Sequence, residues 1–481
     1  MLKLIIRQAN WGVFGTIFGF TVGFFVKIYL IDIVGLEAWG KYVIVQLFSS
    51  LSETVLSIGI PFVIIKFIPY FVEENQEKAS RIASMFIKYA FIVGSIYLGV
   101  IYFFSPYINH FIYSDIDDLS WLLFIMCIHV PISMLFGVVI SLYRSILKIK
   151  EIVLYGTAVT VIVRALLTFI IFQFTDDIGY FILLEVFTRI LVLSILLYLF
   201  NKKEFSLFVK SDAKEVIRDS KMVDYGTKMF YNSVVAFISA QALSFIISIK
   251  LPSADVGAYN ILLTLTGLTT FLLINLNKVF APAISKLHQQ QNFIELNDLY
   301  KKTTFLLNLF AIPLAVIIAI FSDEILGLYT AEMLMYKKYL FYMLVGGMLS
   351  LAAGSSGTFM VMSGLEKQNL KLQLIRAILL IFLSLWFIPI IGLLSVVGLY
   401  VVFMLFINGA QLIYIGKYLQ ISPFSKELFF LFGLTVFAMY FAINQEFIFQ
   451  IYHFIIVPIL VYVCYFGLLF QPLKRLVKEI L

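Results

Sequence analysis

Five ionisable side chains interrupt the long apolar segments in the first half of the sequence: Lys27, Glu53, Arg164, Glu185 and Arg189. A charge inside a membrane-spanning segment is costly, so it usually pairs with an opposite charge or lines a polar pathway. Three cations and two anions leave one positive charge in excess, which predicts a site for an anionic group. Arg164 is the first candidate, because guanidinium matches phosphate oxygens in a bidentate geometry, and Lys27 is the second.

The two carboxyl groups of this set have separate predicted roles. Glu185 lies four residues before Arg189, so the two share one helix face and can form a structural pair or belong to the site together. Glu53 has no obvious partner on its own helix, and burial favours the protonated form of a carboxyl group. Glu53, and after it Glu185, is the candidate for coupling to an ion gradient. Static salt bridges remain an alternative for Glu53 and Arg164, and Lys27 can equally extend its ammonium to the membrane interface.

The second half of the sequence offers amides rather than deep charges, and the candidates are Gln241, Asn277 and Asn308. Amides hydrogen-bond sugar hydroxyls, but they also hold membrane helices together. Lys66, beside Pro69, lies where the second apolar segment gives way to a polar stretch. It is a candidate for meeting an incoming anionic group, and a plain interfacial anchor is the alternative.

The composition excludes most classes of soluble protein. Of 481 residues, 62% are apolar and only 13% are charged, and the mean hydropathy is +1.01. Soluble domains have about 45–50% apolar and about 25% charged residues. The sequence is therefore not that of a soluble enzyme, a disordered chain or a nucleic-acid-binding domain, and no nucleic-acid partner is predicted. Cys127 and Cys464 are too few for a disulfide framework.

Fourteen segments are long and apolar enough to cross a membrane as helices. They cover approximately 11–33, 43–65, 82–104, 120–143, 152–174, 178–200, 226–249, 257–280, 304–322, 339–363, 371–391, 393–415, 427–444 and 447–470. If the N-terminus is cytoplasmic, 28 of the 35 Lys and Arg residues fall on the cytoplasmic side and four on the other. This asymmetry follows the positive-inside rule and predicts that both termini are cytoplasmic.

The connectors between these segments leave no room for a soluble catalytic domain, since the longest covers only residues 201–225. The sequence contains no GxxxxGK[ST] phosphate-binding loop, no GxSxG, no HExxH and no CxxC pair. Its four histidines are scattered and show no metal-ligand spacing. We therefore predict no enzyme activity, no metal site and no cofactor, and any energy source would be a proton or sodium gradient.

An internal repeat divides the chain. Gly40-Lys41-Tyr42 opens the second predicted span, and Gly257-Ala258-Tyr259 opens the second span after residues 201–225. Six spans precede that connector, so both halves have the same orientation, as in parallel-repeat transporters. The predicted divisions are a six-helix lobe at 1–200, a basic cytoplasmic linker at 201–225, a second six-helix lobe at 226–416, and helices 13 and 14 at 417–481.

Several short segments resemble one family of membrane proteins. They are Val34 to Tyr42, Gly59-Ile60-Pro61, Lys66 to Tyr70, Ala281 to Leu287, Met362-Ser363-Gly364 and Ile388 to Gly392. In this order they are similar to motifs of the Wzx-type lipid-linked oligosaccharide flippases, including LGxxxxGxY and PxxS[RK]L. That family belongs to a larger group with the MATE-type drug exporters and the lipid II flippases. The matches extend over nearly the whole chain.

The resemblance implies an all-α membrane protein with two pseudo-symmetric lobes around a V-shaped cavity, and peripheral helices 13 and 14. It implies that an undecaprenyl-pyrophosphate-linked oligosaccharide moves from the inner to the outer leaflet of a bacterial inner membrane by alternating access. The product would be O-antigen, part of lipopolysaccharide, or another surface polysaccharide. Implied partners are the lipid-linked oligosaccharide, membrane lipids, and polymerase and chain-length proteins.

Three alternatives remain at this point. A MATE-type exporter of cationic drugs would favour a negative cavity, whereas the excess charge here is positive. A membrane-embedded glycan polymerase or ligase would favour a large basic outer loop, whereas the outer loops are short and acidic. A non-transporting scaffold would gain nothing from charges buried in the membrane.

Overall fold

The structure is a computed structural model that describes residues 2–113, 116, 119–210, 220–444 and 453–468, and the regular structure in these ranges is helical throughout. The predicted all-α fold class is confirmed. The helices up to Lys250 are α1 (Leu2–Leu56), α2 (Ile60–Glu74), α3 (Gln76–Ile112), α4 (Leu119–Ser145), α5 (Ile149–Glu151), α6 (Val159–Ile171), α7 (Ile178–Lys203) and α8 (Ser220–Lys250). A π-helical turn, Ile152–Ala158, joins α5 to α6.

The remaining helices are α9 (Ser253–Gln289), α10 (Phe293–Ile320), α11 (Ser322–Gly327), α12 (Lys337–Leu351), α13 (Ser356–Met362), α14 (Glu366–Ile391), α15 (Leu393–Leu419), α16 (Lys426–Asn444) and α17 (His453–Leu468). A 3₁₀ segment, Ala331–Tyr336, precedes α12.

Ten helical stretches in the described ranges are long and apolar enough to cross a membrane, which supports a multi-pass membrane protein. The number fourteen stays a prediction. The predicted last span, 447–470, and the predicted linker, 201–225, both lie partly outside the described residues.

The structure corrects two predicted boundaries. The connection predicted at residues 34–42 is shorter than expected: within α1 two helical segments meet at a kink at Gly35, whose φ of +81° and ψ of 170° are not helical, and residues 36–42 are helical. The predicted span 43–65 is instead broken at 57–59, where Ile58 and Gly59 have φ values of +39° and +74°. The Tyr89 hydroxyl donates to the Leu56 carbonyl at 3.0 Å, so α3 satisfies a backbone group that the break exposes.

A second break separates α12 from α13, where Gly354 has a φ of +58°. Side chains of α10 bond the carbonyl groups of this turn. Asn308 Nδ2 donates to the Leu351 carbonyl at 2.8 Å, and the Tyr300 hydroxyl donates to the Ala353 carbonyl at 2.8 Å. The apolar pattern predicts an unbroken span at 339–363, because hydropathy does not show where side chains replace the helical hydrogen bonds of the backbone.

The internal repeat has a constant spacing of 217 residues. Helices α3 and α10 begin at Gln76 and Phe293, and α5 and α14 begin at Ile149 and Glu366. Asn75 and Asn292 precede α3 and α10, and each side chain accepts a hydrogen bond from the backbone N–H three residues on. This is the capping geometry that satisfies a free N–H in the first turn of a helix.

The glycines of the two repeated motifs make reciprocal contacts. A Cβ atom on Gly40 would lie 1.7 Å from the Ser253 carbonyl oxygen, and one on Gly257 would lie 2.5 Å from the Leu36 carbonyl oxygen. In each case a glycine contacts the residue four positions before its counterpart. Only glycine allows α1 and the start of α9 to approach this closely.

The helices group into two compact units, Met1–Gly257 and Ala258–Leu481. The first is built around a large apolar core that includes Ile64, Val130 and Leu196. The second has a core in which the Tyr300 and Phe359 rings stack at 3.9 Å between centroids. The domain divisions stated above remain predictions.

Candidate functional site

All five charges identified within the apolar segments belong to the first compact unit, and an ion pair between α6 and α7 lies at the centre of their arrangement. Arg164 Nη1 is 2.6 Å from Glu185 Oε1. The side chains of Arg164 and Glu185 are 26% and 12% exposed, so the ion pair is largely buried. The guanidinium also lies 5.8 Å from the centroid of Phe181, one turn before Glu185 on α7.

The second carboxylate oxygen of Glu185 is bonded from α1. The Tyr42 hydroxyl donates to Oε2 at 2.9 Å, and Gln46 Nε2 donates to the same hydroxyl at 3.1 Å. Tyr42 is the tyrosine of the Gly40-Lys41-Tyr42 motif, so a motif noted as a repeat marker supplies a ligand to the buried carboxylate. Tyr42, Gln46 and Glu53 follow at four and seven residues, which places them along one stripe of α1.

Arg189 lies on α7 and makes a different contact from the predicted one. Its Nε donates to His129 Nε2 at 3.3 Å, and its guanidinium lies 4.4 Å from the centroid of Phe136, both on α4. Because Nε2 accepts this bond, we assign the histidine proton to Nδ1, which is 3.0 Å from the Ser133 hydroxyl. Within the described ranges, this Nε bond is the only hydrogen bond of Arg189.

The predicted pairing of Glu185 with Arg189 is therefore wrong. Spacing along one helix identifies residues that share a face, but Glu185 is bonded by residues from α1 and α6 instead. The interpretation of Arg164 as the free cation is also wrong, because Arg164 is the partner of Glu185. Arg189 hydrogen-bonds an imidazole rather than a carboxylate, and its role in binding an anionic ligand stays a prediction.

Glu53 is partly buried in the last turn of α1, immediately before the break at 57–59. It interacts electrostatically with Arg189, as does Glu185. The backbone N–H of Ser57 donates to the Glu53 carbonyl at 3.0 Å, which closes the final turn of the helix. The carboxyl group thus lies at a helix C-terminus, where the backbone carbonyl dipoles attract positive charge.

The two lysines among the candidates lie against aromatic rings. Lys27 is partly buried on α1, with its ammonium 5.1 Å from the centroid of Trp39. Trp39 in turn contacts Tyr42, with 4.7 Å between ring centroids, so Lys27 borders the network around Glu185. Lys66, on α2, lies 3.7 Å from the centroid of Tyr225. Cation–π contacts of this kind stabilise a lysine while leaving its ammonium able to bind an anion.

The three candidate amides do not form one group. Gln241 is partly buried on α8 in the first unit. Asn277 and Asn308 belong to the second, where Asn277 Oδ1 is buried without a hydrogen-bond partner among the described residues. Asn308 bonds the carbonyls of Thr304 and Leu351, each at 2.8 Å, so its established contacts are structural.

Tyr42 and Gln46 were missed as site residues because neither is charged. The signal that would have found them is their spacing from Glu53 along α1. No cluster of three or more His, Cys, Asp or Glu side chains suited to a metal ion occurs in the ranges that the structure covers.

A family model described as a polysaccharide biosynthesis protein matches residues 32–335. This match covers more than half of the sequence, and the chain belongs to that family. The resemblance inferred from the short motifs is thereby confirmed. The sequence has no significant match among curated proteins.

Solved transporters share the fold. The lipid II flippase MurJ in an inward closed conformation matches with a TM-score of 0.75 at 16% identity, over 97% of this chain and 100% of that one. An inward-facing multidrug resistance MATE family transporter of the MOP superfamily matches with a TM-score of 0.65 at 12% identity, over 89% and 96% of the two chains.

A third match is a MOP superfamily transporter from Pyrococcus furiosus whose binding pocket is described as having reverse polarity. Its TM-score is 0.59 at 11% identity, over 92% of this chain and 97% of that one. The predicted MATE-like fold is therefore confirmed.

Proposed function

We propose that this protein is a flippase that moves an undecaprenyl-pyrophosphate-linked oligosaccharide from the inner to the outer leaflet of a bacterial inner membrane, by alternating access. The observation that carries the proposal is Arg189, a partly buried guanidinium in an apolar helix whose hydrogen-bond partner is a histidine. A pyrophosphate crossing a low-dielectric environment needs such a countercharge. Membership of the polysaccharide biosynthesis family supports a glycan as the cargo.

Arg189 is the residue proposed to bind the pyrophosphate, and Lys27, on α1, borders the network around Glu185. Lys66, on α2, would meet the pyrophosphate at the cytoplasmic side. Gln241 and Asn277 are the amides left for glycan hydroxyls, since Asn308 is committed to backbone carbonyls. The protein carries its cargo across the membrane and breaks no bond in it, so it is not an enzyme.

Glu53 is the proposed coupling group. Glu53 and Glu185 both interact electrostatically with Arg189. Glu53 also lies in the last turn of α1, before the break at 57–59. Carbonyl ends of discontinuous helices are where membrane transporters bind Na⁺ or H⁺. Arrival of a pyrophosphate at Arg189 would weaken the attraction between Arg189 and Glu53. The Glu53 carboxylate would then bind H⁺ or Na⁺ more readily, so binding of the cargo would favour binding of the coupling ion.

Complementation tests this function. A host that lacks its own flippase and carries the matching glycan genes would receive the wild-type gene, and surface glycan and lipid-linked intermediate would both be quantified. We expect wild type to restore surface glycan. We expect Arg189→Ala and Glu53→Gln to reduce surface glycan at least tenfold while the intermediate accumulates.

The control is Arg81→Ala, which removes a partly exposed arginine that pairs with Glu77 on α3. Normal export by Arg189→Ala and by Glu53→Gln, at wild-type protein levels, would contradict the roles assigned to Arg189 and Glu53. Failure of wild type, together with export of cationic drugs, would favour the second candidate, a MATE-type exporter, which the shared fold supports.

A further inference from the structure

The second compact unit has a cavity of its own where α10, α11 and α12 meet. Its volume is about 520 Å³. The last turn of α10 contributes Ala319, and the start of α11 contributes Ser322. The first turns of α12 contribute most of the wall, including Lys338, Leu340 and Tyr342. We call it the Lys338 cavity.

Two lysines line this cavity, and they differ in their contacts. Lys337 Nζ lies 2.5 Å from Asp323 Oδ2 of α11, so its charge is already compensated. Lys338 is exposed, and its ammonium has no ion pair or hydrogen bond with any residue that the structure describes. The acidic residues Glu324 and Glu332 precede α12 but do not line the cavity. The Lys338 ammonium is therefore accessible to an anionic ligand.

The position of Lys338 runs against the general distribution of positive charge in the chain. With a cytoplasmic N-terminus, four of the 35 Lys and Arg residues fall on the external side, and Lys337 and Lys338 are two of them. The positive-inside rule gives no reason for a lysine there. Lys41 pairs with Glu37 and Lys337 with an aspartate, whereas Lys338 has no such partner among the described residues. A negatively charged ligand would provide one.

The elements that form the Lys338 cavity carry exposed apolar side chains. Tyr342 lines the cavity and is 48% exposed, and Leu349, two turns further along α12, is 45% exposed. In the 3₁₀ segment before α12, Leu334 and Met335 are 43% and 71% exposed. Exposed apolar side chains on a membrane protein mark surface that contacts lipid, and those in a connector lie at the headgroup boundary. The cavity is thus placed where headgroup and acyl chain meet.

We propose that the Lys338 cavity binds a phospholipid of the outer leaflet, with the headgroup phosphate on the Lys338 ammonium and one acyl chain against the apolar wall. Lysine binds phosphate as a compact point charge, and its alkyl stem can lie along an apolar surface. Such a lipid is a resident ligand of the protein. It is distinct from the cargo proposed above, and the inference does not rest on that function.

The phosphate group, rather than the net charge of the lipid, should determine the affinity. Asp323, Glu324 and Glu332 outnumber the two lysines in this part of the chain, so the region as a whole does not attract anions from a distance. A phosphate in direct contact with Lys338 gains a charge-assisted hydrogen bond. A lipid of the same shape without a phosphate cannot form this bond, and it is the comparison that the test requires.

The test uses purified full-length protein, stripped of lipid in detergent, with phosphatidylglycerol and diacylglycerol of identical acyl chains. Binding would be measured by native mass spectrometry and by the shift in unfolding temperature. We expect phosphatidylglycerol to bind more tightly and to stabilise more, since a ligand stabilises the folded state that binds it. Lys338→Ala should weaken phosphatidylglycerol binding about fivefold, as for one lysine at an anionic lipid surface, and leave diacylglycerol binding unchanged.

Further variants make the result specific. Lys250→Ala removes another exposed lysine of the predicted external side, which does not line the cavity, and should bind like wild type. Lys338→Arg should retain the preference for phosphatidylglycerol. Tyr342→Ala removes an exposed ring from the wall and should weaken both lipids. If Lys338→Ala does not fold, Lys338→Gln removes the same charge and should give the same loss.

Equal binding of the two lipids by wild type would overturn the proposal, and so would unchanged phosphatidylglycerol binding by Lys338→Ala. A parallel titration with undecaprenyl phosphate separates the cargo's carrier from the bilayer lipid. If Lys338→Ala weakens that titration alone, the cavity belongs to the carrier and the phospholipid assignment is wrong. Equal stabilisation by inorganic phosphate would identify an anion site rather than a lipid site. None of these outcomes depends on whether the protein flips a glycan.

Discussion

Glu185 directs both carboxylate oxygens to other helices, one to Arg164 on α6 and one to Tyr42 on α1. Three segments that are distant in sequence are therefore joined at a single side chain within the membrane. A carboxylate that accepts two such bonds is held in one orientation, and the attraction of its partners offsets the free-energy cost of removing it from water. Arg189, one turn further along α7, bonds His129 instead of this carboxylate.

Removal of the Tyr42 hydroxyl tests this arrangement. Tyr42→Phe should lower the free energy of unfolding by about 1.5–3 kcal/mol, the value of a hydrogen bond to a charged group. Tyr259→Phe is the matched control, because Tyr259 holds the same motif position and is buried, but no carboxylate among the described residues contacts its hydroxyl. Thermal unfolding in detergent would measure both variants. Equal losses would contradict a specific role for Tyr42.

A double-mutant comparison tests the pair itself. Arg164→Met leaves Glu185 charged and uncompensated, which should cost about 3–5 kcal/mol of unfolding free energy. Arg164→Met combined with Glu185→Gln should recover most of that loss, because the amide carbonyl still accepts from Tyr42. Additive losses in the double variant, measured by the same unfolding assay, would show that the two side chains do not interact.

The sequence could identify the charged residues of the site but not their partners. A charge in an apolar segment is visible directly, and this selected Glu53, Arg164, Glu185 and Arg189. The partners depend on which helices are adjacent, and spacing informs only about neighbours on the same helix. Spacing therefore predicts that Glu185 pairs with Arg189 along α7, whereas Glu185 bonds Arg164 of α6 and Tyr42 of α1.

At the scale of the elements, the two repeats have the same spacing between helices but differ in the positions at which helices are interrupted. The kink at Gly35 corresponds, 217 residues later, to Pro252 between α8 and α9. The break at 57–59 has its counterpart inside the continuous helix α9, and the break after Leu351 has its counterpart inside α4. Each repeat thus has one broken helix that the other lacks, and Glu53 lies beside the first of these.

The reciprocal glycine contact should be the least tolerant point of the repeat. In Gly40→Ala the new methyl group would overlap the Ser253 carbonyl, so α1 and α9 must separate, at about 1–3 kcal/mol of unfolding free energy. Gly257→Ala should behave alike. Gly23→Ala, on the same helix α1 with no neighbouring atom within 4 Å, should be neutral or slightly stabilising. A Gly40→Ala protein as stable as the control would contradict the close contact.

Most of the elements could be predicted from the sequence, and the breaks could not. Long apolar runs bounded by polar residues define spans because the bilayer requires that length. The turn after Leu351 consists of small residues, Ala352-Ala353-Gly354-Ser355, inside a segment long enough to span, and it forms because Asn308 and Tyr300 of α10 bond its carbonyls. The two repeated motifs were visible, but their contact depends on how the helices pack.

At the scale of the whole molecule, the distribution of Lys and Arg predicts which loops face the cytoplasm. Exposed Gln291, before α10, should be cytoplasmic, and exposed Glu332, in the 3₁₀ segment, should be external. Single cysteines at these positions, in a protein with Cys127 and Cys464 replaced, would be tested with a membrane-impermeant thiol reagent in whole cells. We expect labelling at 332 and none at 291 until the cells are opened. The reverse pattern would invert the topology.

Transfer of the lipid-linked oligosaccharide between the two leaflets of a vesicle tests the proposed flippase activity without the other components of a cell. Purified protein would be reconstituted with a fluorescent undecaprenyl-pyrophosphate oligosaccharide, and transfer between leaflets would be followed by quenching from outside. We expect fast transfer by wild type and by Arg81→Ala, and at least tenfold slower transfer by Arg189→Ala. Transfer by wild type at the rate of protein-free vesicles, under a proton and a sodium gradient alike, would contradict the proposed activity.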